Sequence, residues 1–105
     1  MTIQQRVSQH HYAQFGHVSV HQILSNLMEE CGEVASNVTR WTEGRKPKGP
    51  RLPWDELAID EIGDVMIVLT ALCGYLGADI ERVLDEAVEA FCQREWPEIT
   101  TKVKQ

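Results

Sequence analysis

Two short stretches concentrate acidic residues inside apolar sequence. LMEECGEV (27–34) carries Glu29, Glu30 and Glu33, and DEIGDV (60–65) carries Glu61 and Asp64. Glu30 and Glu33 are three residues apart, and Glu61 and Asp64 repeat that spacing. On a helix such pairs share a face, with Cβ atoms about 5–6 Å apart. Met28, Cys31 and Val34 surround the first pair; Ile59, Ile62 and Val65 surround the second. If the two segments are antiparallel helical neighbours, four carboxylates converge between them. Such a group repels itself unless it is protonated or holds cations. Oxygen-only donors select hard divalent ions, Mg²⁺, Mn²⁺ or Ca²⁺. A carboxylate-bridged di-iron site would want Glu-x-x-His on two helices. His10, His11, His17 and His21 all precede the acids, which argues against iron. Acids at this spacing also occur on solvated helix faces, and the pattern alone leaves both readings open.

The elements that must position these acids read as helices. Thr2 to about Phe15 is a first helix with Thr2 as N-cap, broken by Gly16. A second runs from about Val18 to Thr42. Its Ile23, Leu24, Leu27, Met28, Cys31, Val34, Ala35 and Val38 recur at the helical period. EGRKPKGPRLP (43–53), with three prolines and two glycines, is a loop, and it holds Arg45, Lys46, Lys48 and Arg51, four of the ten basic residues. A third helix runs from Trp54 or Asp55 to Tyr75, with Pro53 near its start and Asp55 and Glu56 complementing its dipole. Its second half is apolar nearly all round, so it reads as a core helix buried on several sides. In so small a chain that predicts a subunit interface. A fourth helix runs from Asp79, its N-cap, to about Arg94, with a stripe of Ile80, Val83, Leu84, Ala87, Val88 and Phe91. Pro97 stops it, and 97–105 reads as a loose tail. The expected fold is an all-α bundle of four to five helices in one domain, 1–105.

Composition narrows the function. A net charge of −6 argues against binding nucleic acid or an anionic membrane, although a metal ion can bridge this acidic chain to a small anion. The N-terminus has no apolar signal region, and the longest apolar run, Val65–Ala78, is too short to span a bilayer. Cys31, Cys73 and Cys92 have no zinc-site spacing. They read as buried free thiols of a cytoplasmic protein.

The stretch EECGE (29–33) followed by EIGD (61–64) resembles the EExxE…ExxD signature of MazG-like nucleotide pyrophosphohydrolases. The resemblance runs from the first helix to about Trp96. It implies an all-α fold that assembles as a dimer or a dimer of dimers. It also implies Mg²⁺-dependent hydrolysis of a nucleoside triphosphate, (d)NTP, to the monophosphate and pyrophosphate, in a house-cleaning role. By the motif match Glu30, Glu33, Glu61 and Asp64 hold Mg²⁺, with Mn²⁺ as substitute, and Glu29 orients or deprotonates the attacking water. A polyanionic triphosphate meets an acidic protein only through cations, which makes physical sense of the match.

Family members often carry a lysine and an asparagine on the last helix that contact phosphates. DEAVEAFCQREW (85–96) has neither. Arg94 or the basic loop residues Arg45, Lys46, Lys48 and Arg51 are the replacements to consider, against the alternative of a merely solvated loop. Trp41 is a candidate to stack on a base or else packs a helix end. Trp54 is a weaker candidate, and Trp96 reads as core or interface. His11, with His10, lies on a helix that borders the base pocket in such folds or else is a surface histidine. Two other functions compete: phosphoribosyl-ATP pyrophosphohydrolysis in histidine biosynthesis, and a non-catalytic helical oligomer with structural cation sites.

Overall fold

The first two helices begin on the same local device. Thr2 Oγ1 accepts from the Gln5 amide at 3.0 Å, and the Gln5 side chain accepts from the Thr2 amide at 2.8 Å. Ser19 and Gln22 repeat this reciprocal pair at 3.2 and 3.0 Å. Each box satisfies amides that a helix start leaves without intrahelical partners. In the computed structural model, which describes residues 1–45 and 54–95, the helices are α1 (Ile3–Phe15), α2 (Val20–Thr42), α3 (Trp54–Tyr75) and α4 (Ile80–Gln93). The described residues contain no strand. The all-α expectation holds, with four helices. Helix α2 starts two residues later than Val18, because the Ser19 cap sets the boundary. The expected tail and Trp96 lie outside the described residues, as do Lys46, Lys48 and Arg51.

Glycines close α2 and α3. The Gly77 amide donates to the Gly74 carbonyl at 3.2 Å and the Ala78 amide to the Cys73 carbonyl at 2.8 Å, the paired bonds of a Schellman ending. Gly77 has φ +70°, a left-handed conformation that costs a side-chain-bearing residue about 1–2 kcal/mol. Gly44, at φ +71°, ends α2 with the same pair of bonds, to Trp41 and Arg40. Gln4 on α1 then clasps the α3–α4 turn. Its amide nitrogen donates to the Ala78 carbonyl at 2.8 Å and its oxygen accepts from the Ile80 amide at 2.9 Å. Together with the Asp79 cap, this clasp fixes where α4 departs.

Helix α3 is the hub, with α2, α1 and α4 each packing on it and α4 most lightly. Across the α2–α3 contact the residues follow alternating steps of four and three. Helix α2 contributes Ile23, Leu27, Glu30, Val34 and Asn37; α3 contributes Leu57, Glu61, Asp64, Val68 and Ala71. Ile23, Asn37, Leu57 and Ala71 are buried and the rest are half-buried, except Asp64, which is exposed. Full burial of side chains such as Ile23 and Leu57 stabilises by about 1.5–3 kcal/mol each. This seam is the core.

The other faces are open. Ile59, Ile62, Met66 and Leu69 of α3 are exposed, as are Leu24, Met28 and Val38 of α2 and Val83, Leu84, Val88 and Phe91 of α4. Within one chain the second half of α3 packs on one side: Thr70 and Ala71 are buried while Met66 and Ile67 are exposed. One expectation is corrected. The cysteines are free, but Cys31 and Cys92 are exposed and Cys73 is only half-buried. Cys31 falls beside the seam line rather than on it, and every described residue of α4 from Glu81 onward is exposed. No helix among the described residues is long and apolar enough to cross a membrane.

Candidate metal centre

The acids occupy seam positions where apolar side chains would ordinarily sit. On α2, Glu30 follows Leu27 by three residues and precedes Val34 by four; on α3, Glu61 and Asp64 lie between Leu57 and Val68. The helices run antiparallel, since Asn37 meets Glu61 while the earlier residue Glu30 groups with the later residue Asp64. Oxygens of Glu30, Glu61 and Asp64 lie within 4.8 Å of one another. Two oxygens on one Mg²⁺ at about 2.1 Å stand roughly 3–4 Å apart, so modest rotamer changes bring the trio to bonding distance. Three carboxylates form a hard, anionic donor set that fits Mg²⁺ or Mn²⁺.

Burial and neighbouring acids disfavour the charged form of two of the three carboxylates. Glu30 is pushed above the usual carboxylate range, first by burial, then by the charge of Asp64 across the seam, and then by Glu61, Glu29 and Glu33. Glu61 is pushed up by burial, then by Glu33, Asp64 and Asp60. One contact acts the other way: Asn37 Nδ2 donates to Glu61 Oε1 at 3.2 Å, which favours the ionised carboxylate. A divalent ion between the helices would offset the mutual repulsion.

The remaining expected residues divide. Glu33 is half-buried and is the charge that acts most on Glu61, yet its oxygens fall outside the close trio. Glu29 is exposed and lines a cavity of about 340 Å³ with His11, Phe15, Gln22 and Asn26. The His11 and Phe15 rings pack there in a tilted pair, centroids 5.0 Å apart and planes inclined by 55°. Trp41 is exposed in the last turn of α2. Arg45 is ion-paired with Glu43, and Arg94 is the exposed C-cap of α4. Asn37 was not among the expected site residues. Its signal was present in the seven-residue step from Glu30 and the four-residue step from Glu33, which put a neutral amide on the acid-bearing face.

A family model for the MazG nucleotide pyrophosphohydrolase domain matches residues 18–96, from just before the Ser19 cap past the end of α4. The chain belongs to this family. MazG membership makes it a nucleotide pyrophosphohydrolase and accounts for acids on the seam of a helix pair. A relative from Bacillus subtilis strain 168, the uncharacterized protein YpjD, is 33% identical over 87 residues, spanning 83% of this chain and 77% of YpjD. The crystal structure of YpjD, described there as a candidate pyrophosphatase, superposes with a TM-score of 0.67 at 31% identity. That match covers 89% of this chain and 92% of the other.

Proposed function

We propose that this MazG-family chain hydrolyses nucleoside triphosphates, (d)NTPs, to monophosphate and pyrophosphate with Mg²⁺, in a cytoplasmic house-cleaning role. The observation that carries the reading is the convergence of Glu30, Glu61 and Asp64 oxygens within 4.8 Å on an otherwise apolar seam. In the reaction the bridging P–O bond of the α–β anhydride breaks, water supplies the new P–O bond, and pyrophosphate leaves.

Glu30, Glu61 and Asp64 would hold Mg²⁺, with Glu33 beside them. The ion supplies charge neutralisation on the phosphates and acidifies bound water. Glu29 lines the His11–Phe15 cavity and its charge acts on Glu30 of the cluster, so it is the candidate to orient or deprotonate the attacking water. The cavity would take the nucleoside end, with the His11 and Phe15 rings as apolar wall. Trp41, Arg45 and Arg94 belong to the reading as candidate base and phosphate contacts, together with Lys46, Lys48 and Arg51 of the basic loop.

A second copy of the chain covers the open face in this reading. Ile59, Ile62 and Met66 on α3, Met28 on α2 and Leu84 and Val88 on α4 are all exposed, and exposed apolar surface of this kind can mark association surfaces. A homodimer or homotetramer follows. The test is incubation with a panel of ribo- and deoxyribonucleoside triphosphates and Mg²⁺. Pyrophosphate and monophosphate in equal amounts are expected from at least one, and no release from any by folded protein would sink the proposal.

A further inference from the structure

We infer that Asn37 is the positioning residue of the metal centre, setting the orientation of Glu61 from the opposite helix. This rests on the reading of Glu30, Glu61 and Asp64 as cation ligands. Asn37 is 5% exposed, and a buried polar side chain is retained only where its hydrogen bonds are met. Its Nδ2 donates to Glu61 Oε1 at 3.2 Å across the seam.

Three features make this contact more than a core hydrogen bond. Asn37 follows Glu33 by four residues and Glu30 by seven, so it extends the acid-bearing face of α2 by about one turn. Its amide is neutral, so it occupies a lone pair of Glu61 without the positive charge that would compete with a cation for the same carboxylate. Finally, a glutamate has three side-chain torsions, and anchoring one carboxylate oxygen restricts where the other can point. Among the described residues, Glu30 and Asp64 receive no such bond from the facing helix. Glu61 is thus the preset member of the trio, the ligand whose orientation would be fixed before a cation binds. Partners that orient metal ligands in this way are typically worth about 10–100-fold in affinity.

The test is Mn²⁺ binding followed by electron paramagnetic resonance, without substrate, on the full chain and its variants. Asn37→Leu, close in volume and without a donor, is expected to weaken Mn²⁺ binding about tenfold or more. Its helical circular dichroism and metal-free melting should stay close to the parent's. A double-mutant cycle supplies the decisive comparison: in a Glu61→Gln background Asn37→Leu should change Mn²⁺ affinity less than twofold, because the group it acts through is already altered. Asn37→Gln, which keeps the donor on a longer arm, should recover part of the loss, and it carries the test if the leucine variant does not fold. Equal Mn²⁺ affinity of parent and Asn37→Leu, or an equal loss in both backgrounds, overturns the positioning role while leaving the metal centre intact. Failure of the parent itself to bind Mn²⁺ overturns both.

Discussion

The two sides of the α2–α3 pair invert the usual arrangement of a protein. The packed side holds Glu30, Asn37, Glu61 and Asp64 between Ile23, Leu27, Leu57 and Ala71, whereas the open side shows Leu24, Met28, Ile59, Ile62 and Met66. Burying charge costs stability and exposing apolar surface costs solubility. In the proposed function a divalent ion completes the packed side and a second copy of the chain covers the open side, and the two can be tested separately.

The largest expected effect is on the packed side. Glu61→Gln keeps the shape of the side chain but removes a ligand charge. Turnover of the best nucleotide should fall by roughly 10²-fold or more, the scale of removing one group that stabilises transition-state charge. Metal-free melting should be unchanged or higher, because a repulsive charge is gone from among Glu33, Asp60 and Asp64. Activity by a Mg²⁺-dependent pyrophosphate-release assay and melting by circular dichroism together separate loss of function from loss of fold.

On the open side, Met66→Asp should act through assembly. Met66 is 59% exposed, so an aspartate there costs an isolated chain little. In an assembled protein it buries an unpaired charge, which is among the more damaging single changes. Light scattering should show a smaller particle and melting should fall by several degrees. An unchanged mass would remove this face from the interface.

A third change probes how α4 is held. Its stripe of Val83, Leu84, Val88 and Phe91 is exposed, so its position within one chain depends heavily on the Gln4 clasp to Ala78 and Ile80. Gln4→Ala removes two part-buried hydrogen bonds, each worth about 0.5–1.5 kcal/mol net. That corresponds to roughly 5–10 °C in melting temperature for a domain of this size. A smaller shift would mean that apolar cover from the second copy, rather than the clasp, fixes α4.

Helices, their order and the acid pairs were legible because they follow from local periodicity and spacing, which one sequence displays. The spacing suggested four converging carboxylates; oxygens of Glu30, Glu61 and Asp64 lie within 4.8 Å of one another, and those of Glu33 fall outside that group. What was not legible depends on which of several adjacent apolar lines is packed. On α2, Ile23–Leu27–Val34 and Leu24–Met28–Cys31 read alike, and only contact with α3 selects the first line for the core. That choice buried Asn37 and exposed Cys31. Thr2 was legible as a cap, whereas the Ser19–Gln22 box, readable in principle as Ser-x-x-Gln, was passed over by a boundary drawn from apolar periodicity.

The smallest effect is the dependence of metal-free stability on pH, and it belongs to the packed side alone. Glu30 and Glu61 titrate above their ordinary range in the folded chain because burial and neighbouring acids disfavour the charged form. A carboxylate raised by folding binds its proton more tightly in the native state. Its contribution to stability is complete below the unfolded value and is lost as pH rises through the folded one. Lowering the pH from neutral toward 5 in a chelator should therefore narrow the stability gap between a Glu30→Gln, Glu61→Gln double variant and the parent. Histidine protonation is common to both proteins and drops out of the difference. Saturating Mg²⁺ should flatten or reverse the trend, since ions bound to the native state compete with protons and stabilise by mass action. The same titration on Met66→Asp should keep the parent's slope in chelator, because that variant is expected to dissociate and leave its new aspartate in solvent. A Met66→Asp slope that followed the double variant instead would mean that the two sides are coupled through assembly.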